Sequence, residues 1–331
     1  MRPPKPTVAI ISPALRKANN GNWQTAHRWS RFLRAGYDVT LASEWAGPAA
    51  GDLAPACLIA LHARRSADAV ARFADACPKR PLIVVLTGTD LYRDIRSDPA
   101  AQRSLELATY LVVLQDEGPF ELSAAHRGKC RVIYQSAIAC HSRSVGSEYF
   151  DVVLVGHMRP EKDPLTAMRS LALLPDDSRI RMTHVGGALD DEYLRAVQAL
   201  QAQRWPLGER YSWLANLPHA ETRRRIAGAQ ALVISSVMEG GANVIVEAIT
   251  SGVPVLASRI PGNIGMLGRD YEGYFPPGDA VQLAELLQRA SQDIGFLTRL
   301  RQQCAQRAPL FAPARERAEV IKLVADALRP T

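Results

Sequence analysis

The sequence predicts an α/β protein made of two successive doubly wound units, and three observations predict it. Short β-rich runs alternate with helix-patterned stretches from end to end. The runs are apolar throughout rather than alternating, as parallel strands covered on both faces must be. The 331 residues, at about 150 per domain, are enough for two hydrophobic cores. The first series of strands is expected at 7–11, 37–42, 57–61, 82–86, 110–114 and 131–134. The second is expected at 150–155, 180–185, 231–235 and 254–257. Between them, at 139–148, Ser, Gly, His and charge replace periodicity. The units are therefore expected at 1–145 and 146–312. A last helical pattern, 313–331 including its tail, has no strand after it and packs on either unit or bridges them.

Composition excludes several classes. With 47% hydrophobic and 22% charged residues, disorder is not the main state. No apolar run approaches the roughly 20 residues of a membrane span, so integral membrane association is not expected. The start runs directly into a strand pattern without the features of a secretory signal, which reads as cytoplasmic. The five cysteines, at 57, 77, 130, 140 and 304, form no Cys-x-x-Cys pair and read as reduced thiols. His126, Cys130, Cys140 and His141 are too irregularly spaced to read as a zinc set. Forty Lys and Arg against 33 Asp and Glu give a net charge of +7, which favours an anionic partner. Basic residues are dispersed and aromatics are only 6%, so nucleotides and phosphates fit better than nucleic acid.

Taken in order, the first helical pattern, 22–35, places Ala26, Trp29, Phe32 and Leu33 on one stripe. Arg28, Arg31 and Arg34 lie elsewhere on its circumference. This is a core-packing helix with a solvated charged face rather than a membrane-surface helix. Ligands of doubly wound sheets bind beyond the carboxyl ends of strands, and three such ends in the first unit carry cations. The loop after the first strand holds Arg16, Lys17, Asn20, Gly21 and Asn22. His62, Arg64 and Arg65 follow the third strand, and Thr87, Thr89, Asp90 and Arg93 follow the fourth. Together they can hold a small, multiply charged anion through charge-assisted hydrogen bonds.

In the second unit the strongest signal runs from Ser235 to Ala248, joining a buried strand to a helix. Glu239 lies in the loop and Glu247 about one turn inside the helix, with Gly240, Gly241, Ala242 and Asn243 between them. A helix N-terminus offers unpaired N–H groups and positive partial charge to a phosphate, and carboxylates suit sugar hydroxyls. The pair reads as a clamp for a sugar nucleotide. The apolar neighbours of Glu247 argue that it is buried and needs a partner. After the first strand of this unit come Gly156, His157, Arg159 and Lys162, a cation placed to neutralise a diphosphate leaving group. Gly186 and Gly187 after the next strand permit close approach of a base or ribose to backbone.

The clamp, the Gly-x-x-x-Pro-Glu-Lys run ending at Lys162, Ser251-Gly-Val-Pro-Val-Leu-Ala and Gly273-Tyr-Phe-Pro-Pro-Gly-Asp279 resemble the donor domain of retaining glycosyltransferases of family 4. The resemblance implies the GT-B fold, two Rossmann-like doubly wound domains facing across a cleft. It implies that Glu239 holds the transferred sugar, Glu247 the ribose diol and Lys162 the phosphates. The chain departs from the pattern at His157, where an Arg usually precedes the Lys by five residues; Arg159 is the substitute. Further strings are similar to the selenosugar synthases of selenoneine biosynthesis: Leu61-His-Ala-Arg-Arg-Ser66, Leu86-Thr-Gly-Thr-Asp-Leu-Tyr-Arg-Asp94, Ile133-Tyr-Gln-Ser136, Met238-Glu-Gly-Gly-Ala-Asn243 and Ser258-Arg-Ile-Pro-Gly262.

That second resemblance implies attack of selenophosphate on UDP-N-acetylglucosamine, releasing UDP and giving a selenosugar after phosphate loss. It also implies a functional link to a selenophosphate synthetase and to a downstream selenosugar-using enzyme. On this reading the cationic loops capture selenophosphate, while Asn20 to Asn22 form a loop closing over the donor. No cofactor and no catalytic metal are expected, because cations and helix N–H groups stabilise departing UDP. The catalytic set is then Glu239, Lys162, Arg159, His62 and Asp90. Two alternatives stand beside it. One is a GT-B enzyme with a hydroxyl acceptor activated by Asp90 or His62 as base. The other is a non-catalytic UDP-sugar sensor, to which His157 points.

Overall fold

The computed structural model describes residues 5–15, 21–48, 54–141, 148–202 and 210–329. The chain divides into two compact units, one of Met1–Gln135 with Pro313–Thr331 and the other of Ser136–Ala312. The break thus falls at Gln135/Ser136 rather than at 145/146, and the terminal helix Pro313–Ala327 belongs to the first unit.

The first unit holds six parallel strands: β1 Thr7–Ile11, β2 Asp38–Ala42, β3 Cys57–Leu61, β4 Leu82–Val85, β5 Tyr110–Val113 and β6 Cys130–Val132. Their order in the sheet is β2-β1-β3-β4-β5-β6. The apolar runs are explained by two cores, one on each face. Val8, Ile10, Ile59, Ile83 and Val85 pack with Ala26, Trp29, Leu33, Val320 and Val324. Ala9, Ile11, Leu58, Ala60 and Val84 pack the other way, against Val70, Phe73 and Leu105. Successive strand residues face opposite cores, so every position must be apolar. Strand order reverses between β1 and β3, which makes the loops after these strands the place for a ligand.

The helix Gly21–Leu33 buries Thr25, Ala26, Trp29, Ser30 and Leu33, as its stripe requires. Arg28, expected on a solvated face, is instead tied to a carboxylate. Its Nε and Nη2 donate to Glu316 Oε2 and Oε1 at 2.6 and 3.0 Å, and Trp29 Nε1 donates to Oε1 at 2.8 Å. Glu316, on the terminal helix, is 1% exposed, and a carboxylate at that depth needs such donors. Gln135 Oε1 accepts from Thr25 Oγ1 and Arg28 Nη2.

The second unit is again six parallel strands: β7 Phe150–Val155, β8 Ile180–Val185, β9 Tyr211–Trp213, β10 Ala231–Ile234, β11 Val255–Ser258 and β12 Tyr274–Phe275. The order is β12-β11-β10-β7-β8-β9, the dinucleotide-fold arrangement, reversing between β7 and β10. The sequence pattern misses β9 and β12, because edge strands of three and two residues are made by pairing rather than by an apolar run. Among the described residues, no helix is long and apolar enough to cross a membrane.

Candidate active site

The reversal point of the second sheet brings Lys162 and Glu239 together. The loop after β7 ends in a 3₁₀ turn, Pro160–Lys162, and the left-handed Asp163 (φ 42°) then caps the helix Pro164–Ala172. The Asp163 carboxylate accepts from Thr166 Oγ1 at 2.5 Å and from Tyr193 OH at 2.9 Å. Lys162 Nζ donates to Glu239 Oε1 at 2.5 Å, and Ser236 Oγ donates to the same oxygen at 2.6 Å. Glu239 is 7% exposed, so these donors offset the loss of hydration. The loops are also bonded through backbone: Val237 N–H to the Glu161 carbonyl and Ser235 Oγ to the Lys162 carbonyl.

A third loop, after β11, completes this support. Ser258 Oγ donates to the Ser236 carbonyl at 2.5 Å, and Asn263 Nδ2 donates to Ser258 O and Oγ. Gly262 lies against Glu239 so closely that a Cβ would collide with the Glu239 carbonyl oxygen. Ser236, Ser258 and Asn263 are positioning groups that sequence reasoning missed. The one available signal was Ser258 to Gly262 within a resembling string.

Glu247 sits in the helix Asn243–Thr250 among buried Ile245, Val246, Ala248 and Ile249. Its expected partner is His219, whose Nε2 lies 2.6 Å from Oε1. His219 begins the helix His219–Gly228, and no sequence pattern marked it. Gly240, Gly241 and Ala242 lead into the helix, with Ala242 at its N-cap and Asn243 its first residue. The first N–H groups of such a helix have no intrahelical acceptor and point out of its end.

The surroundings of Gly186, Gly187 and His157 are set by protein groups. Gly186 was assigned to a base or ribose, but a Cβ there would collide with the Gly156 carbonyl, and one at Gly187 would collide with the Asn216 amide. Protein fills the Cβ side of both glycines. His157 accepts from the Gly187 N–H through Nδ1 at 3.1 Å. Burial first, then Arg159 and Lys162, push its pKa below the usual histidine value, so a neutral ring stands where the family pattern has a cation. Arg159 lies 3.9 Å from Glu161, and its buried Nε has no hydrogen-bond partner among the described residues. Behind this loop, the wholly buried His184 donates from Nε2 to the Gly156 carbonyl at 2.8 Å and accepts from Tyr211 OH at 2.5 Å. Burial pushes its pKa down to about 4.

In the first unit, the ends of β3 and β4 form one polar cluster. Asp90 opens a π-helical turn, Asp90–Asp94, a deviation common at functional sites. It was expected to be catalytic. Its Oδ1 instead accepts from Thr87 and Gly88 N–H at 2.9 and 2.8 Å, and Oδ2 from Ala63 N–H at 2.9 Å, with no surface exposed. Three amides occupy most of its acceptor sites, so it ties two loops together. His62 is held at φ 72°, a strained conformation for a non-glycine residue. Its Nδ1 accepts from Arg65 N–H, so the neutral ring carries its proton on Nε2 and donates to Thr89 Oγ1 at 3.0 Å. Burial is the main cause that lowers its pKa.

Asp94, missed in the sequence, organises the cations. Its Oδ2 accepts from Arg64 Nε at 2.8 Å and its Oδ1 from Arg93 Nε at 3.1 Å. Burial pushes its pKa up, but the two guanidinium groups outweigh that and hold it below the usual carboxylate range. Arg64, Arg65 and Arg93 are exposed; two of these cations, Arg64 and Arg93, share this one carboxylate, and Arg65 acts on the neighbouring His62. Arg16, Lys17 and Asn20 lie outside the described residues. Gly21 and Asn22, expected in a closing loop, are the first residues of a helix. Among the described residues, no three His, Cys, Asp or Glu side chains gather as a metal would need.

Two parallel-sheet Rossmann-like units, each with polar side chains gathered at its strand ends, define the GT-B class of glycosyltransferase fold. Residues 142–310 match the family described as glycosyl transferases group 1, and the chain belongs to that family. It is a glycosyltransferase. Among solved structures, it is similar to HepE from Anabaena in complex with UDP-glucose, at 16% identity over 97% of this chain and 99% of that one, with a TM-score of 0.78. Sucrose-phosphate synthase from Thermosynechococcus elongatus has 16% identity over 97% and 99%, with a TM-score of 0.79. The pneumococcal O-GlcNAc transferase GtfA, in complex with UDP and GlcNAc, has 17% identity over 82% of this chain and 57% of that one, with a TM-score of 0.66.

Proposed function

We propose that this enzyme transfers N-acetylglucosamine from UDP-N-acetylglucosamine to selenophosphate. The observation that carries the acceptor reading is the cluster at β3 and β4. Arg64 and Arg93 stand exposed on Asp94 with the exposed Arg65 beside His62, while both candidate bases are engaged, Asp90 by three amides and His62 by Arg65 N–H and Thr89. A hydroxyl acceptor needs a base, whereas selenophosphate is already nucleophilic and needs a cationic cradle. Two of the five strings that resemble selenosugar synthases, Leu61 to Ser66 and Leu86 to Asp94, fall in these loops. For the donor, support comes from the Lys162, Glu239 and Glu247 constellation and from UDP or UDP-glucose in relatives of the same fold.

The donor diphosphate draws Lys162 and releases Glu239 to the sugar hydroxyls, so binding exchanges one ion pair for two ligand contacts. Selenium then attacks C1, and the bond from C1 to the UDP oxygen breaks with its electron pair leaving on the β-phosphate. Lys162 and the amides at the start of Asn243–Thr250 stabilise that charge. Water cleaves the Se–P bond of the product, giving the selenosugar and phosphate. A second reading, a hydroxyl acceptor, rests on the O-GlcNAc transferase among the fold relatives.

The test incubates the purified chain with UDP-N-acetylglucosamine and selenophosphate. UDP and a selenium-bearing hexosamine are expected by mass spectrometry. Arg64→Ala and Arg93→Ala are expected to raise the selenophosphate KM by about tenfold each, as loss of a charged hydrogen bond implies. UDP release no faster than without selenophosphate overturns the proposal. Release only with a carbohydrate or lipid present favours the second reading.

A further inference from the structure

The Glu247 carboxylate is 7% exposed on a helix whose neighbouring side chains are aliphatic. Among the described residues, His219 is the one side chain bonded to it, at 2.6 Å through Nε2. A carboxylate only accepts, so Nε2 carries the proton and the bond has one donor and one direction. The other charged groups on the helix His219–Gly228 are turned elsewhere. Glu221 pairs with Arg224 and Arg225, and Arg223 donates to the Ile138 carbonyl. The imidazole is 41% exposed while its partner is covered, so it stands between Glu247 and solvent. A carboxylate on an apolar helix face has several staggered arrangements open to it, and one short charge-assisted bond selects among them.

We infer that His219 is the positioning residue for Glu247: it holds Oε1 and so presents Oε2 to the vicinal hydroxyls of a nucleoside ribose. This rests on the donor reading proposed above. His219 contributes through the geometry of Glu247, and its effect appears only with ligands that have the diol.

The experiment measures, by calorimetry on the full chain, the dissociation constants of UDP and of 2′,3′-dideoxy-UDP for the wild type, His219→Ala, His219→Gln and Glu247→Ala. The wild type is expected to prefer UDP, and Glu247→Ala to lose that preference. His219→Ala is expected to weaken UDP by about tenfold and leave the dideoxy nucleotide unchanged. His219→Gln, which keeps a donor, is expected to restore most of the loss. Equal weakening of both nucleotides by His219→Ala, or no weakening, overturns the inference while the ribose assignment stands on Glu247→Ala. If the wild type and Glu247→Ala bind both nucleotides alike, the ribose assignment itself falls, and the inference with it.

Discussion

Asp90 and Glu239 occupy comparable places, one in each unit. Each follows a parallel strand, each is buried, and the sequence reads both as catalytic. Their partners differ. Asp90 accepts from three backbone N–H groups, whereas Glu239 Oε1 accepts from two side chains, Lys162 and Ser236. Backbone donors at the root of a loop cannot move without unfolding it, but a lysine can swing to a phosphate and leave the carboxylate available. A buried acid held by amides is part of the scaffold. One held by mobile side chains is poised for a ligand. In the first unit the exposed charge at these strand ends is accordingly carried by arginines, two of them anchored on Asp94.

Three measurements break or sharpen this contrast. The largest effect is expected for Asp90→Ala, which strands three buried amides and should lower stability by about 4 kcal/mol in urea unfolding; a loss below about 1 kcal/mol would remove the scaffold role. Next comes pH. The folded pKa of His184 is about 4 against 6.5 for an unperturbed ring, so the unfolded chain binds more protons between those values. Stability is therefore full above pH 6.5 and falls as pH drops toward 4, by about 3 kcal/mol. His62 and His157, also lowered, act in the same direction. Urea midpoints at pH 7.5, 5.5 and 4.5 measure it, and a flat profile would contradict a neutral buried His184. The smallest effect is expected for Ser236→Ala. It should reduce kcat/KM for transfer about fivefold, near 1 kcal/mol, with unfolding little changed. Unaltered turnover would show that Lys162 alone sets the Glu239 geometry.

Much of the fold was legible because a two-faced parallel sheet leaves a direct trace. The runs at 57–61 and 82–86 are apolar at every position, and each position meets a core. The placement of Glu239 and Glu247 was legible too, since they flank one glycine-rich helix start. Arg28 was misread because helical periodicity reports which residues face the core, not that a buried acid from the terminal helix waits there. Gly186 shows that a glycine signals close approach without saying what approaches: on its Cβ side the neighbour is the Gly156 carbonyl.

Local pattern thus carried the two sheets, their strand-end loops and the spacing of Glu239 and Glu247, since strand and helix periodicity are properties of neighbouring residues. Pairing of the charged groups was settled only by folding. Lys162 and Glu239 are 77 residues apart, His219 and Glu247 28, and Arg28 and Glu316 288. Whether a carboxylate serves the scaffold or a substrate depends on the donors brought to it, and those donors arrive from strands and helices that only the packed chain places side by side.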